Sequence, residues 1–154
     1  MAGIDTYVFT DKNAYLGMSN STDTGGAAIF NLADGKYKFR ADYSGVEYWS
    51  DKLTVPGTTS TTIIISLTPV EVRVTNRSGS GISGQTVDAY INTSGGSSSL
   101  VSNATTNSAG IARFELESGQ YRFVTNYLGL DQASNTIQVP NTTTALIQVK
   151  APIT

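Results

Sequence analysis

Apolar and polar residues alternate along this chain in short runs. Ala28, Phe30 and Leu32 fall at every second position, as do Tyr37, Phe39, Ala41 and Tyr43, while Lys38, Arg40 and Asp42 occupy the places between. Successive side chains of an extended chain point to opposite faces, so each set predicts a strand with one buried face. Further strands are predicted at Ile4–Thr10, Val70–Thr75 and Val87–Thr93. Between the first two sets lies Ala33-Asp34-Gly35-Lys36, matched later by Glu117-Ser118-Gly119-Gln120. That composition predicts a tight turn in which Gly supplies a positive φ.

The pattern occurs twice. Thr22–Ile65 aligns without a gap on Thr106–Val149 at an offset of 84, with sixteen of forty-four positions identical, among them Phe30/Phe114, Leu32/Leu116, Tyr37/Tyr121 and Phe39/Phe123. Upstream, Ile4–Thr10 aligns on Val87–Thr93 at an offset of 83. The second copy has an additional first strand, Val70–Thr75, which the first copy lacks. The reading is therefore all-β: two tandem Greek-key immunoglobulin-like (prealbumin-like) sandwiches, residues 1–68 without a first strand and residues 69–154 complete. Pro69 fixes φ at the short joint and predicts a stiff, end-to-end arrangement. Leu-x-x-Gly-x-Tyr before Tyr37 and Tyr121 resembles a tyrosine corner, whose hydroxyl satisfies backbone a few residues upstream.

Composition narrows the chemistry. Charged residues make up 14% of the 154, and the net charge is −2 with no run of like charges, which leaves no electrostatic footprint for nucleic acid. No apolar run approaches the roughly 20 residues that span a bilayer, so membrane insertion is not expected. Cysteine and histidine are absent, which removes disulfides, thiolate nucleophiles, the side chain most used for proton transfer near neutral pH and the commonest metal ligands. No catalytic residue, cofactor site or metal site is expected.

Tyr-Leu-Gly (15–17), Thr-Asp-Thr-Gly-Gly-Ala-Ala-Ile-Phe-Asn-Leu (22–32), Gly-Lys-Tyr-Lys-Phe-Arg-Ala-Asp-Tyr (35–43) and Tyr-Trp-Ser (48–50) resemble the Cna B-type and carboxypeptidase-regulatory-like (transthyretin-like) sandwich repeats. The resemblance implies a secreted or cell-surface setting, in stalks, spacers and adhesive or filamentous assemblies. Some members of that family carry a crosslink between a first-strand Lys and a last-strand Asn. Here Arg73 stands on the first strand and Ala145–Lys150 contains no Asn, so no such bond is expected.

Several residues are candidates for function. Asp23 beside Gly25-Gly26 has the look of a calcium loop, but its counterpart is Asn107, which fits a turn needing only a short polar side chain. Asp42, Asp88, Glu115 and Glu117 show no spacing that sets two across a cleft. Tyr43, Tyr48 and Trp49 form a candidate aromatic platform for sugar rings, against the alternative of packing that covers an incomplete sandwich. Asn20, Asn76, Asn92, Asn103 and Asn141 open Asn-x-Ser/Thr triplets and are candidate glycosylation sites. The unfilled place of the first strand predicts strand donation between subunits, with Leu146, Ile147, Val149 and Ile153 as the candidate assembly strand. The expectation is a non-catalytic structural module of an extracellular filament, pilus-like fibre or surface stalk, with copies of itself or flanking repeats as partners and glycans as further candidates. The alternative is a carbohydrate-binding region of a secreted enzyme or adhesin.

Overall fold

The computed structural model describes residues 1–151, all of them in strands, turns and irregular chain, with no helix among them. The chain divides into two compact units, Met1–Ile65 and Ser66–Thr154. That division falls three residues before the boundary suggested by Pro69.

The second unit is a closed two-layer structure. One sheet is built from β7 (Thr86–Asn92), β8 (Ser98–Thr105), β10 (Gly119–Tyr127), β11 (Leu130–Ala133) and β12 (Ile137–Val139), in the order β11-β10-β7-β8 with β12 also on β10. The other has three strands, with β6 (Thr68–Thr75) in the middle, antiparallel to β9 (Ile111–Leu116) and parallel to β13 (Thr144–Gln148). Inward residues of both sheets meet in one core: Val70, Val72 and Val74 of β6, Ala112, Phe114 and Leu116 of β9, Ile147 of β13, and Val87, Ala89, Tyr121, Phe123, Ile137 and Val139 from the facing sheet. Alternation makes this core, since each strand supplies every second side chain to it.

The first unit holds only one of these two sheets. It contains β1 (Asp5–Thr10), β2 (Tyr15–Ser21), β3 (Gly35–Tyr43), β4 (Val46–Trp49) and β5 (Leu53–Val55), in the order β2-β1-β3-β4 with β5 also on β3. This is the counterpart of the β8-β7-β10-β11/β12 sheet. The strand predicted at Ala28–Leu32 does not form, although the equivalent β9 does, and Thr61–Ile65 is likewise irregular where its equivalent is part of β13. The reason is topological. Both β9 and β13 owe their ladders to β6, and the first unit has no strand in that place. The reading of two equivalent sandwiches is corrected accordingly: the first unit is one sheet with its inner face partly covered.

Two further expectations change. Val8 pairs with Phe39 as Ala89 pairs with Phe123, so β1 matches β7 at an offset of 81 rather than 83. A slip of two residues leaves the same side chains facing inward, and alternation alone cannot detect it. Gly35 and Gly119 do not take positive φ. A Cβ at Gly35 would lie 3.2 Å from the Tyr37 hydroxyl, and one at Gly119 would lie 3.1 Å from Ile91 and 3.4 Å from the Tyr121 ring. Glycine there makes room for an aromatic ring folded back over the chain.

Several shared positions prove to be backbone fasteners. The Thr22 hydroxyl accepts from Ile4 N–H and donates to Met1 C=O, as Thr106 accepts from Gln85 N–H and donates to Ile82 C=O. Ser50 accepts from Phe39 N–H and donates to Asp51 C=O, as Ser134 does with Phe123 and Asn135. Each hydroxyl satisfies one donor and one acceptor where the ladder is interrupted.

Candidate functional site

In the first unit the inner face of the sheet opens into a cleft of about 800 Å³. Its floor is Ile4, Thr6, Phe39, Ala41, Leu53 and Val55, one wall is the segment 26–32, and the other is the segment 59–63 with Ile65. In the second unit the counterparts of these walls are β9 and β13, and β6 lies between them. The cleft therefore occupies the position of a first strand.

The surroundings of the cleft are apolar and incompletely covered. Phe30 and Phe39 keep the ring contact of their counterparts, 5.7 Å between centroids against 5.3 Å for Phe114 and Phe123. Yet Phe30, Leu32, Phe39, Ile63 and Ile65 are half-buried, whereas Phe114, Leu116, Phe123, Ile147 and Val149 are buried. Ile29 and Ile64 are 76% and 75% exposed. Among the described residues neither wall is paired as a strand; the side chain of Asn20 reaches one of them, donating to Ile29 C=O at 3.1 Å.

The candidate assembly strand lies elsewhere. Leu146 and Ile147 are in β13, and Ile147 and Val149 are 1% and 2% exposed in the core of their own unit, where Val149 N–H donates to Thr75 C=O. Donating them to a neighbour would open the second unit, so they are withdrawn as donors. Leu146 points outward, and Ile153 lies outside the described residues.

The candidate aromatic platform is also divided. Tyr48 is paired with Ala41, and Tyr43 lies two residues further along β3, so both belong to the inner face; Trp49 is paired with Arg40 on the outer face. There Trp49 meets Phe9 at 4.7 Å between centroids, Phe9 meets Tyr15 at 5.2 Å, and Tyr15 meets Tyr7 at 6.0 Å. The Arg40 guanidinium sits over Tyr7, Phe9 and Trp49 and is paired with Asp42 and Glu47. Tyr15 and Trp49 remain 51% and 40% exposed. Tyr7, Phe9, Tyr15 and Arg40 were missed in the sequence. The signal was present: Tyr7 and Phe9 alternate with the inward Thr6 and Val8, and the matching positions of the second copy, Asp88, Tyr90, Leu100 and Val124, do not repeat the set.

Asp23 serves a turn. Its Oδ1 accepts from Gly25 and Ala27 N–H, as Asn107 Oδ1 accepts from Ala109 and Ile111 N–H. A neutral amide does the same work in the second copy. Among the described residues no three acidic, His or Cys side chains converge as metal ligands. The Tyr37 hydroxyl donates to Ala33 C=O at 2.9 Å, four residues upstream, as in a tyrosine corner. Of the glycosylation candidates, Asn20 and Asn103 are exposed on β2 and β8 and Asn141 is exposed in a turn, while Asn76 and Asn92 are half-buried. Asn76 Oδ1 is also engaged by the N–H groups of Ser78 and Ser80.

These features define an all-β protein of two related units, one closed and one open along a single strand position. No family model matches the sequence, and no curated protein matches it. Several solved structures resemble the chain, three of them as follows. The Bacillus anthracis TIE protein shares 16% identity at a TM-score of 0.40, over 96% of this chain and 29% of that one. A shaft pilin, SpaA from Lactobacillus rhamnosus GG, shares 9% at 0.47, over 100% and 87%. A streptococcal ancillary pilin shares 14% at 0.43, over 99% and 59%. The chain thus spans under a third of the first and most of the second.

Proposed function

We propose that the chain is a non-catalytic structural module of an extracellular fibre or surface stalk, and that its first unit is completed by a strand from outside Met1–Ile65. The observation that supports this reading is the cleft between the segments 26–32 and 59–65, whose counterparts hold β6. Three valines of β6 are fully buried, and burying such a side chain stabilises by roughly 1.5–3 kcal/mol. A strand added to the first unit would gain a comparable apolar contact and satisfy two rows of backbone groups. With it in place the first unit gains the two-layer arrangement that the second already has.

The extracellular or cell-surface setting follows from the resemblance to Cna B-type repeats. Without histidine or cysteine, the chain lacks the usual means of acid/base and thiol chemistry near neutral pH. Electron microscopy of the native material tests the reading. Ordered filaments or stalks with a repeat on the scale of one or two such units are expected, and uniformly dispersed single particles would overturn it.

One observation favours a second reading, glycan binding. Exposed Tyr15 and Trp49 stand beside hydrogen-bonding Asp42 and Glu47 on the outer face of the first unit, and the second unit has no counterpart of this set. Glycan-array binding that disappears in Trp49→Ala would support it, and a blank array would remove it.

A further inference from the structure

The second unit supplies a template for the missing strand at the level of single residues. In its three-stranded sheet Thr68 stands opposite Leu116, Val70 opposite Phe114 and Val72 opposite Ala112, while Val72 and Val74 lie beside Ala145 and Ile147 of β13. The offset of 84 carries these partners to Leu32, Phe30, Ala28, Thr61 and Ile63. All five line the cleft of the first unit. The only β6-type strand among the described residues is already consumed, since Val70, Val72 and Val74 are fully buried in the second unit.

We propose that this cleft is a docking site for a further β6-type strand of the same repeat, other than Thr68–Thr75, entering antiparallel to Ala28–Leu32 and parallel to Thr61–Ile65. The inference rests on the strand-completion reading above and adds the partner's direction, register and side chains. Small β-branched residues fill the three inward positions, against Phe30, Ala28 and Ile63, as the valines of β6 do in the second unit. A larger side chain beside Phe30 would overpack a site whose counterpart fits valine.

The outward face sets a difference between the donor and β6. Glu71 of β6 stands opposite Arg113 and is ion-paired with it at 3.0 Å. The residue equivalent to Arg113 in the first unit is Ile29, which is 76% exposed. An acid opposite an isoleucine has no partner, whereas an apolar or β-branched residue gains a cross-strand contact. The donor for the first unit is therefore apolar or uncharged where β6 has Glu71, and this favours a different strand in each unit.

The test uses the full chain and a labelled peptide with the sequence of Thr68–Thr75. Fluorescence anisotropy should show saturable binding, strengthened severalfold by Glu71→Val in the peptide and weakened at least about tenfold by the triple change Val70→Asp, Val72→Asp, Val74→Asp. Hydrogen exchange should slow at both walls, 27–32 and 60–65, when the peptide binds. Slowing at one wall only, or equal binding of a peptide with the reversed sequence, would overturn the stated register. A second variant carries a copy of Ser66–Gly81 fused ahead of Met1, which stands where Ile82 stands in the second unit, since each accepts a hydrogen bond from the equivalent threonine hydroxyl. This extended chain should have protected walls and no longer bind the peptide. If its walls are protected but the unextended chain ignores every peptide, a free strand does not dock and the docking proposal fails while the register stands. If neither chain shows protection, the register fails as well. Filament imaging is a separate measurement, so fibres without peptide binding would discard this inference and leave the structural reading standing.

Discussion

Phe30 and Phe39 of the first unit and Phe114 and Phe123 of the second are the same residues in the same local sequence, with nearly the same ring contact, yet only the second pair is buried. The difference is one strand. In the second unit β6 hydrogen-bonds to β9 and β13 and places three valines beneath the aromatic rings; in the first, the corresponding walls keep their composition but have no ladder. An amphipathic pattern records which face a residue is meant to bury, and a partner strand decides whether it is buried.

The largest consequence concerns local stability. Amides of the segments 27–32 and 60–65 should exchange on the order of a thousandfold faster than those of Ile111–Leu116 and Thr144–Gln148, because the former lack strand partners and the latter open only with their sheet. Hydrogen exchange with peptide-level mass spectrometry reads this directly. Equal protection in the two units would erase the contrast.

Core truncation should be unequal in the same direction. Phe123→Ala removes a fully buried ring and should cost about 3–5 kcal/mol, whereas Phe39→Ala, at a half-buried position, should cost about half of that or less. Urea titration followed by a probe in each unit measures both. Equal losses would mean that the inner face of the first unit is covered in solution.

A smaller and symmetrical effect is expected at the turns. Asp23→Ala and Asn107→Ala each remove an acceptor used by two backbone N–H groups and should destabilise their own units by about 1–2 kcal/mol. Chelator should leave the melting of the native chain unchanged. A calcium-dependent stabilisation that disappears in Asp23→Ala would assign the first turn a role that the second does not share.

Much of the fold was legible because the repeat exposed it. The gapless match from Thr22 to Ile65 located the strand at Gly35–Tyr43 and the corner tyrosine, the strand present only ahead of the second copy marked the missing first strand, and the exchange of Asp23 for Asn107 argued for a turn that needs a short polar side chain. Three things were hidden. The two-residue slip of β1 against β7 preserves alternation, so only cross-strand pairing reveals it. The strand at Ala28–Leu32 has the right pattern, but its formation depends on a distant segment that the first unit lacks. The aromatic cluster draws Tyr7, Phe9, Tyr15, Arg40 and Trp49 from four strands, and nearness in sequence pointed instead to Tyr43 and Tyr48, which alternation sends to the other face.

The subtlest contrast is in pH dependence, and it belongs to the closed unit. Burial raises the phenol of Tyr121 above the usual tyrosine value near 10, and the neighbouring Glu117 carboxylate adds to the rise by disfavouring a second negative charge. A raised value in the folded state means that the unfolded chain gives up its proton first as alkali is added. The contribution of Tyr121 to stability is then fully present below about pH 10 and is lost as pH climbs from there through the folded-state value. Denaturant titrations of the second unit across that range should show stability declining with pH. In Tyr121→Phe the decline should be shallower, because the hydroxyl that titrates is gone while the ring still fills its place. Glu117→Gln should give a decline between the two, since burial remains after the charge is removed. A native chain and a Tyr121→Phe chain that lose stability in parallel through this range would show that the phenol titrates alike in both states, and that the core of the second unit is more open around Tyr121 than its 2% exposure implies.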